Sequence, residues 1–218
     1  MVMVDTVMPG ADKPSFWDEA SSHLMKRDRI LKRLIPNHRE EWLSTPATPF
    51  VTLARAIVGQ QISLKSAQAL WQKLVVACDG QEPTPELVQV LGQTDLGLGG
   101  LSKRKAEYVL GLADHFIADK IQPDTWHAMD NEAVIADLCS VRGIGRWTAE
   151  MFLIFNLQRP DVLPLDDASL LKAISLHYFS GEPVSRFEAR EVAQAWAPWR
   201  TVAAWYLWRS LDPAAVQY

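Results

Sequence analysis

The chain has 218 residues, enough for one large domain or two small lobes around a real core. Hydrophobic residues make up 48 %, so it can fold, and a formal net charge of −4 argues against broad coating of nucleic acid while allowing a local basic face. Two cysteines, Cys78 and Cys139, with no C-x-x-C between them, cannot fill a four-cysteine zinc or iron–sulfur site. Both are expected to be small buried apolar residues in a reducing compartment.

Residues 1–14 read as a flexible tail. Asp5 interrupts its apolar character and no basic stretch starts it, so neither a signal peptide nor a membrane span is expected. Helical periodicity dominates from there and strand alternation is scarce. Phe16 to Ile35 holds one or two short helices before Pro36, and Thr45–Pro49 is a turn-rich break. Phe50, Leu53, Ala54, Ile57 and Val58 follow at helical spacing until Gly59 interrupts. Ser63 is placed to cap a helix through Leu70, Trp71 and Leu74. The stretch 80–100 is richer in glycine and proline, with a short apolar piece at Leu87–Leu91. Lys105 to Lys120 is an amphipathic helix with Ala106, Val109, Leu110, Ala113, Phe116 and Ile117 on one face.

Asn131 to Cys139 and Arg146 to Leu157 flank a tight turn, Gly143-Ile144-Gly145. Pro160 and Pro164 then bracket a loop that delivers Asp166 and Asp167 to a helix running to about Phe179. Gly181 and Pro183 break that helix, and two more follow, from Ser185 and from Pro198. No repeat and no low-complexity segment occurs. The fold class is all-α, with about ten helices.

The run Val141–Ala149 carries the most chemistry. Two glycines around one apolar residue allow a tight turn and bring bare backbone N–H groups to a surface. At the start of a helix those groups lack internal partners and the dipole favours an anion, for which a phosphate is the natural candidate. Thr148 and Ala149 are small enough to let two helices pack closely. A phosphate-gripping hairpin with a carboxylate downstream points to DNA-backbone binding coupled to acid-dependent chemistry. The competing reading is an ordinary helix–turn–helix, with Asp166 and Asp167 as acids at a helix N-terminus. Lys103-Arg104-Lys105, Arg142 and Arg146 supply either a local basic patch or a solvated face. The five histidines have no metal spacing and are read as structural or solvated.

Here the sequence resembles the helix-hairpin-helix DNA glycosylases, in particular the 3-methyladenine DNA glycosylase II branch. Besides the hairpin, Ile57–Ser63 (IVGQQIS) resembles the family's DNA-facing turn. Leu163–Asp167 (LPLDD) resembles its catalytic-aspartate segment, and Trp196–Ala204 resembles its last helix pair. Together these cover roughly residues 45–210. The resemblance implies two lobes with a cleft between them, a middle lobe of about 50–160 and a second lobe from the N- and C-terminal segments.

The resemblance makes Asp167 the catalytic aspartate, and Asp166 the cap or a supporting partner. It places Trp147 and Trp208 in the base pocket, with Met151 replacing an aromatic of some members. Trp147 stands where lyase-competent members carry a lysine, so no Schiff base is expected; the alternative is a core tryptophan anchoring the hairpin. Trp196, Trp199 and Trp205 read as core. Gly143, Ile144, Gly145, Arg146 and Thr148 would contact the DNA backbone. Leu101 or Lys103 would wedge into the base stack, and Gln60 would plug the opposite strand or, equally, satisfy a buried loop. The carbonyls of Cys139, Val141 and Ile144 could hold an alkali ion; no other cofactor is implied.

The activity implied is excision of cationic alkylated purines, such as 3-methyladenine and 7-methylguanine, from duplex DNA in base excision repair. The enzyme would act as a monomer, without lyase activity, in the cytoplasm at the nucleoid or in a nucleus. Alternatives are a glycosylase for oxidised, deaminated or mismatched bases, and a non-catalytic DNA-binding module.

Overall fold

The computed structural model describes residues 13–44, 47–93 and 98–211; residues 1–12, most of the expected tail, lie outside these. Every element among the described residues is helical: eleven α-helices and three short 3-10 turns. They divide into two units, one built from the contiguous segment 47–157 and one from the two flanking segments together.

The contiguous unit holds α3 (Pro49–Gly59), α4 (Leu64–Ala77), α5 (Pro85–Gly92), α6 (Lys103–Ile117), α7 (Asn131–Cys139) and α8 (Arg146–Phe155). Side chains start most of them. Thr48, Ser63, Thr84, Ser102 and Asp130 each accept a backbone N–H from the first turn of the following helix. Pro49 and Pro85 sit at first helical positions, where a missing N–H costs nothing. α3 buries Phe50 to Ala54 and Ala56 to Val58, and α8 buries every residue from Thr148 to Phe155. Helices buried on all sides are core elements, and the others present one stripe to them. Phe50 meets Phe116 edge-on at 5.4 Å, and Trp126 meets Phe152 at 5.0 Å.

The other unit contains α1 (Trp17–Arg27), α2 (Leu31–Leu34), α9 (Ala168–Tyr178), α10 (Arg186–Val192) and α11 (Arg200–Leu211). Its centre is α11, buried from Thr201 to Trp208. The ring of Trp17 packs edge-on against Trp205 at 5.1 Å, and its Nε1 donates to the Tyr206 hydroxyl. Pro14, expected in the tail, is buried, and its carbonyl accepts the Trp17 amide.

A buried carboxylate, Asp28, ties this unit together. Its Oδ1 accepts the amides of Ile30 and Leu31; its Oδ2 accepts the Tyr178 hydroxyl at 2.7 Å and Trp196 Nε1 at 3.0 Å. With both oxygens bonded the charge is tolerated in the interior. Burial and the facing carboxylate push the Tyr178 phenol well above its ordinary range, so it is a permanent donor.

Three further sequence expectations change. α6 begins at Lys103 rather than Lys105, because Ser102 caps it, and ends at Ile117, with Asp119 already left-handed at φ 49°. Cys78 is buried as expected but Cys139 is exposed, lying on the last turn of a helix whose apolar face points elsewhere. Trp196 and Trp205 are core, whereas Trp199 is half-buried and stacks on Phe16 at 5.8 Å.

Candidate active site

The loop 156–167 ends on Asp167, which is the N-cap of α9. Its Oδ1 accepts the Leu170 amide at 2.6 Å. The same oxygen accepts Trp208 Nε1 at 2.9 Å. Asp167 is 9 % exposed and Trp208 6 %, so both groups stand at the edge of the interior. Two N–H donors on one oxygen fix the orientation of the carboxylate.

Asp166 behaves differently. It is exposed and pairs with Arg186 Nη2 at 2.7 Å. The expectation that Asp166 is the cap is therefore wrong: Asp167 takes both the cap and the buried position, because only its side chain turns back over the first turn of α9. Trp208, expected as a pocket wall, donates its indole N–H to this carboxylate.

The hairpin lies in the contiguous unit. Gly143 has φ +97°, a left-handed conformation that suits glycine, and a Cβ there would lie 2.4 Å from Cγ of Tyr108. Gly145 is the N-cap of α8 and lacks a side-chain cap; a Cβ there would meet nothing within 4 Å. The two glycines thus do different jobs. Gly143 lets the turn sit against α6, and Gly145 leaves the α8 N-terminus open for an anion. Ile144 is buried, and its amide donates to the Val141 carbonyl at 3.1 Å. Thr148 is buried within α8, which makes it a packing residue.

Gln60 ends α3, and its Nε2 donates to the Gly143 carbonyl at 2.9 Å. The turn around Gln60 is thereby locked to the hairpin. The first turn of α6 grips the same turn from another side. Lys105 Nζ donates to the Val58 carbonyl at 2.6 Å, and Arg104 Nη2 donates to Gln61 Oε1 at 3.3 Å. Burial and the neighbouring Arg104 lower the Lys105 pKa. Arg142 lies 5.8 Å over the ring of Tyr108.

Arg146, the first residue of α8, carries a guanidinium clasped by two acids. Nη1 and Nη2 donate to the two carboxylate oxygens of Glu132 at 2.9 and 2.5 Å, and Nε donates to Glu150 at 3.0 Å. The Glu132 hydrogen bonds raise the Arg146 pKa further and lower that of Glu132.

Trp147 is half-buried on the first turn of α8, and Met151, one turn on, is buried. Leu101 is half-buried; its amide donates to the Leu98 carbonyl at 3.1 Å, while Lys103 is exposed at the start of α6. That loop is anchored by Gly99, where a Cβ would lie 2.7 Å from the Leu74 amide nitrogen.

The carbonyls of Cys139, Val141 and Ile144 are neutral hard oxygens, a donor set that suits an alkali ion rather than a transition metal. The Val141 oxygen already takes the Ile144 amide. Among the described residues no three His, Cys, Asp or Glu side chains cluster as a metal site, and no helix is long and apolar enough to cross a membrane.

The family model for the HhH-GPD superfamily base excision DNA repair proteins matches residues 54–198. The chain belongs to this superfamily. Among curated relatives it is similar to DNA-3-methyladenine glycosylase 1 of Schizosaccharomyces pombe, at 34 % identity over 198 residues, covering 88 % of this chain and 86 % of the relative. A solved structure of a 3-methyladenine DNA glycosylase from that yeast, in complex with abasic DNA, superimposes with a TM-score of 0.79 at 32 % identity, covering 92 % of this chain and all of the other. A DNA-3-methyladenine glycosidase from Bacillus halodurans gives 0.77 at 32 % identity, covering 91 % and 92 %. The hairpin, the Gln60 turn and the segment ending on Asp167 all lie within the span matched by the HhH-GPD model.

Sequence reasoning missed the Glu132–Arg146–Glu150 clasp, the Gln60–Gly143 bond and Asp28. Only the Arg146–Glu150 pair, four residues apart on one helix, has a local signature.

Proposed function

We propose that this protein is a monofunctional DNA glycosylase that removes cationic alkylated purines, such as 3-methyladenine and 7-methylguanine, from duplex DNA in base excision repair. The observation that carries the reading is Asp167, held by Leu170 and Trp208 through one oxygen. The relatives' names support the same substrate class.

The backbone amides of the hairpin at Gly143, Gly145 and Arg146 take phosphate oxygens, while the Ile144 amide stays on the Val141 carbonyl and the Gln60 turn braces the hairpin. Leu101, or Lys103 beside it, fills the space left when the damaged nucleotide rotates out of the stack. A cationic base pairs weakly, so this rotation costs less. Trp147, with Met151 one helical turn on, offers an aromatic face for the base. Such faces favour a cation over a neutral base by about 0.5–2 kcal/mol.

The C1′–N bond then breaks with its electron pair leaving on the base, which departs neutral and needs no proton. The sugar develops oxocarbenium charge, and the Asp167 carboxylate stabilises it. Water adds at C1′ and loses a proton, leaving an abasic sugar. Trp147 offers no amine, so no Schiff base forms and the strand stays intact. The carbonyls of Cys139, Val141 and Ile144 would hold an alkali ion, supplying positive charge beside the bound phosphate. Such an enzyme works as a monomer at the nucleoid or in a nucleus.

Release of 3-methyladenine from alkylated duplex DNA, by the wild type and by Asp167→Asn, tests the reading. The wild type is expected to release the base, and the variant to bind the DNA without releasing it. Absence of release by the wild type overturns the reading.

A further inference from the structure

The cation best placed to grip DNA beside the open Gly145 is Arg146, yet its guanidinium is engaged on both edges by Glu132 and Glu150. Glu150 is buried within α8, whereas the Glu132 side chain is 70 % exposed on α7. The three groups together carry one net negative charge, so the clasp repels phosphate at the mouth of a site whose amides attract it. The burial of Glu150 makes its bond to Arg146 part of the α8 core. The bidentate bond to Glu132 is a surface contact, and surface pairs contribute little to stability. Keeping it has another consequence: it withholds a phosphate-binding arginine from every duplex the protein meets.

We propose that Glu132 is a specificity-determining residue that holds Arg146 off the DNA backbone, so that affinity for undamaged duplex stays low and lesion recognition dominates. This inference rests on the DNA-backbone reading of the hairpin. Phosphate contacts are blind to sequence and to damage, so each one strengthens binding to intact DNA as much as to a lesion site. An enzyme that must leave intact DNA quickly gains selectivity by making few of them. Arg146 therefore contributes its backbone amide to the grip and not its side chain.

The test is the salt dependence of binding to an undamaged duplex. Each phosphate contact adds about 0.9 to the slope of log affinity against log salt. Glu132→Ala should steepen the slope by that amount. The tightening is then about eightfold at 0.1 M salt and fades toward 1 M. Arg146→Met should leave the slope unchanged, and in that background Glu132→Ala should no longer steepen it. In multiple-turnover excision with excess undamaged competitor DNA, Glu132→Ala should turn over more slowly than the wild type, while single-turnover excision is unchanged.

An unchanged slope in Glu132→Ala overturns the proposal. So does a shallower slope in Arg146→Met, which would make Arg146 a phosphate ligand already, and so does a steepening that persists without Arg146, which would be general repulsion. If Arg146→Met fails to fold, Arg146→Gln, which can still hydrogen-bond the buried Glu150, takes its place in both comparisons. Wild-type excision alongside an unchanged slope rejects this inference alone. A wild type with no salt-dependent DNA binding rejects the hairpin reading, and this inference with it.

Discussion

Trp208 donates its indole N–H to the same Asp167 oxygen that caps α9, at 2.9 Å and 41 residues away in sequence. The tryptophan therefore acts on the carboxylate itself. A hydrogen bond to a charged group is worth about 1.5–3 kcal/mol. If that orientation is felt in the transition state, Trp208→Phe lowers single-turnover excision by roughly 10- to 150-fold with little change in DNA affinity. Because the loss runs through Asp167, cationic and neutral lesions should suffer alike. A loss confined to cationic bases would assign Trp208 to base contact alone.

Asp167→Asn keeps an N-cap of equal quality, so thermal stability should hardly move while base release is abolished. Asp167→Ala loses the cap as well and should cost about 1 kcal/mol of stability besides the activity. Asp166→Asn breaks only an exposed pair with Arg186, worth about 0.2–1 kcal/mol, and should excise at near the wild-type rate. Calorimetry beside the excision assay separates these outcomes.

The two hairpin glycines should fail in different assays. Gly143→Ala drives a Cβ into Tyr108 from a left-handed backbone and should destabilise the protein by about 1–3 kcal/mol or more. Gly145→Asp meets open space, so the melting temperature should change little. Its charge at the α8 N-terminus should weaken binding to any duplex, damaged or not. A loss restricted to damaged DNA would contradict a backbone contact.

The product should be an intact strand with an abasic site, cut only on later alkali treatment, because Trp147 supplies no amine. Borohydride should trap no covalent adduct between enzyme and DNA. A trapped adduct would identify another amine acting on the sugar.

His177 gives a pH signature. Burial, with Arg33 nearby, lowers its pKa below the ordinary histidine value of 6.5. The Ser210 hydroxyl donates to the Leu207 carbonyl, so His177 is the donor in its bond to Ser210, a role the neutral ring fills through Nε2. The unfolded chain binds the proton more readily than the folded one. His177 therefore contributes stability above pH 6.5 that is lost as pH falls through its lowered folded value. Melting temperature should drop on acidification below pH 6.5, and His177→Gln should flatten that drop.

Reading the sequence located what is locally encoded. Ser63 caps α4 because a serine before an apolar run has one good use there. Two glycines spaced by Ile144 announce the hairpin, and the acids after Pro164 announce the start of α9. What stayed hidden depends on distance. The Gln60–Gly143 bond joins residues 83 apart, and Asp28 meets Trp196 at a separation of 168. No periodicity links such positions, so Gln60 reads equally as plug or as brace, and Asp28 as one more surface acid. The Asp166–Asp167 pair was ambiguous for a different reason: two adjacent acids look alike until the backbone decides which side chain faces the helix.

The arrangement of the chain also fixes an order of assembly. The unit with the hairpin is written in one continuous stretch, 47–157, while the unit with Asp167 needs both flanks. Domains form as units while the chain emerges from the ribosome, N-terminal parts first. The hairpin unit can therefore close while the Asp28 carboxylate still stands in water, waiting for Tyr178 and Trp196 to be synthesised. A chain that stops after residue 157 carries the hairpin proposed to grip DNA and lacks Asp167, the carboxylate proposed to stabilise the sugar; that carboxylate is set in place only once the later flank is made.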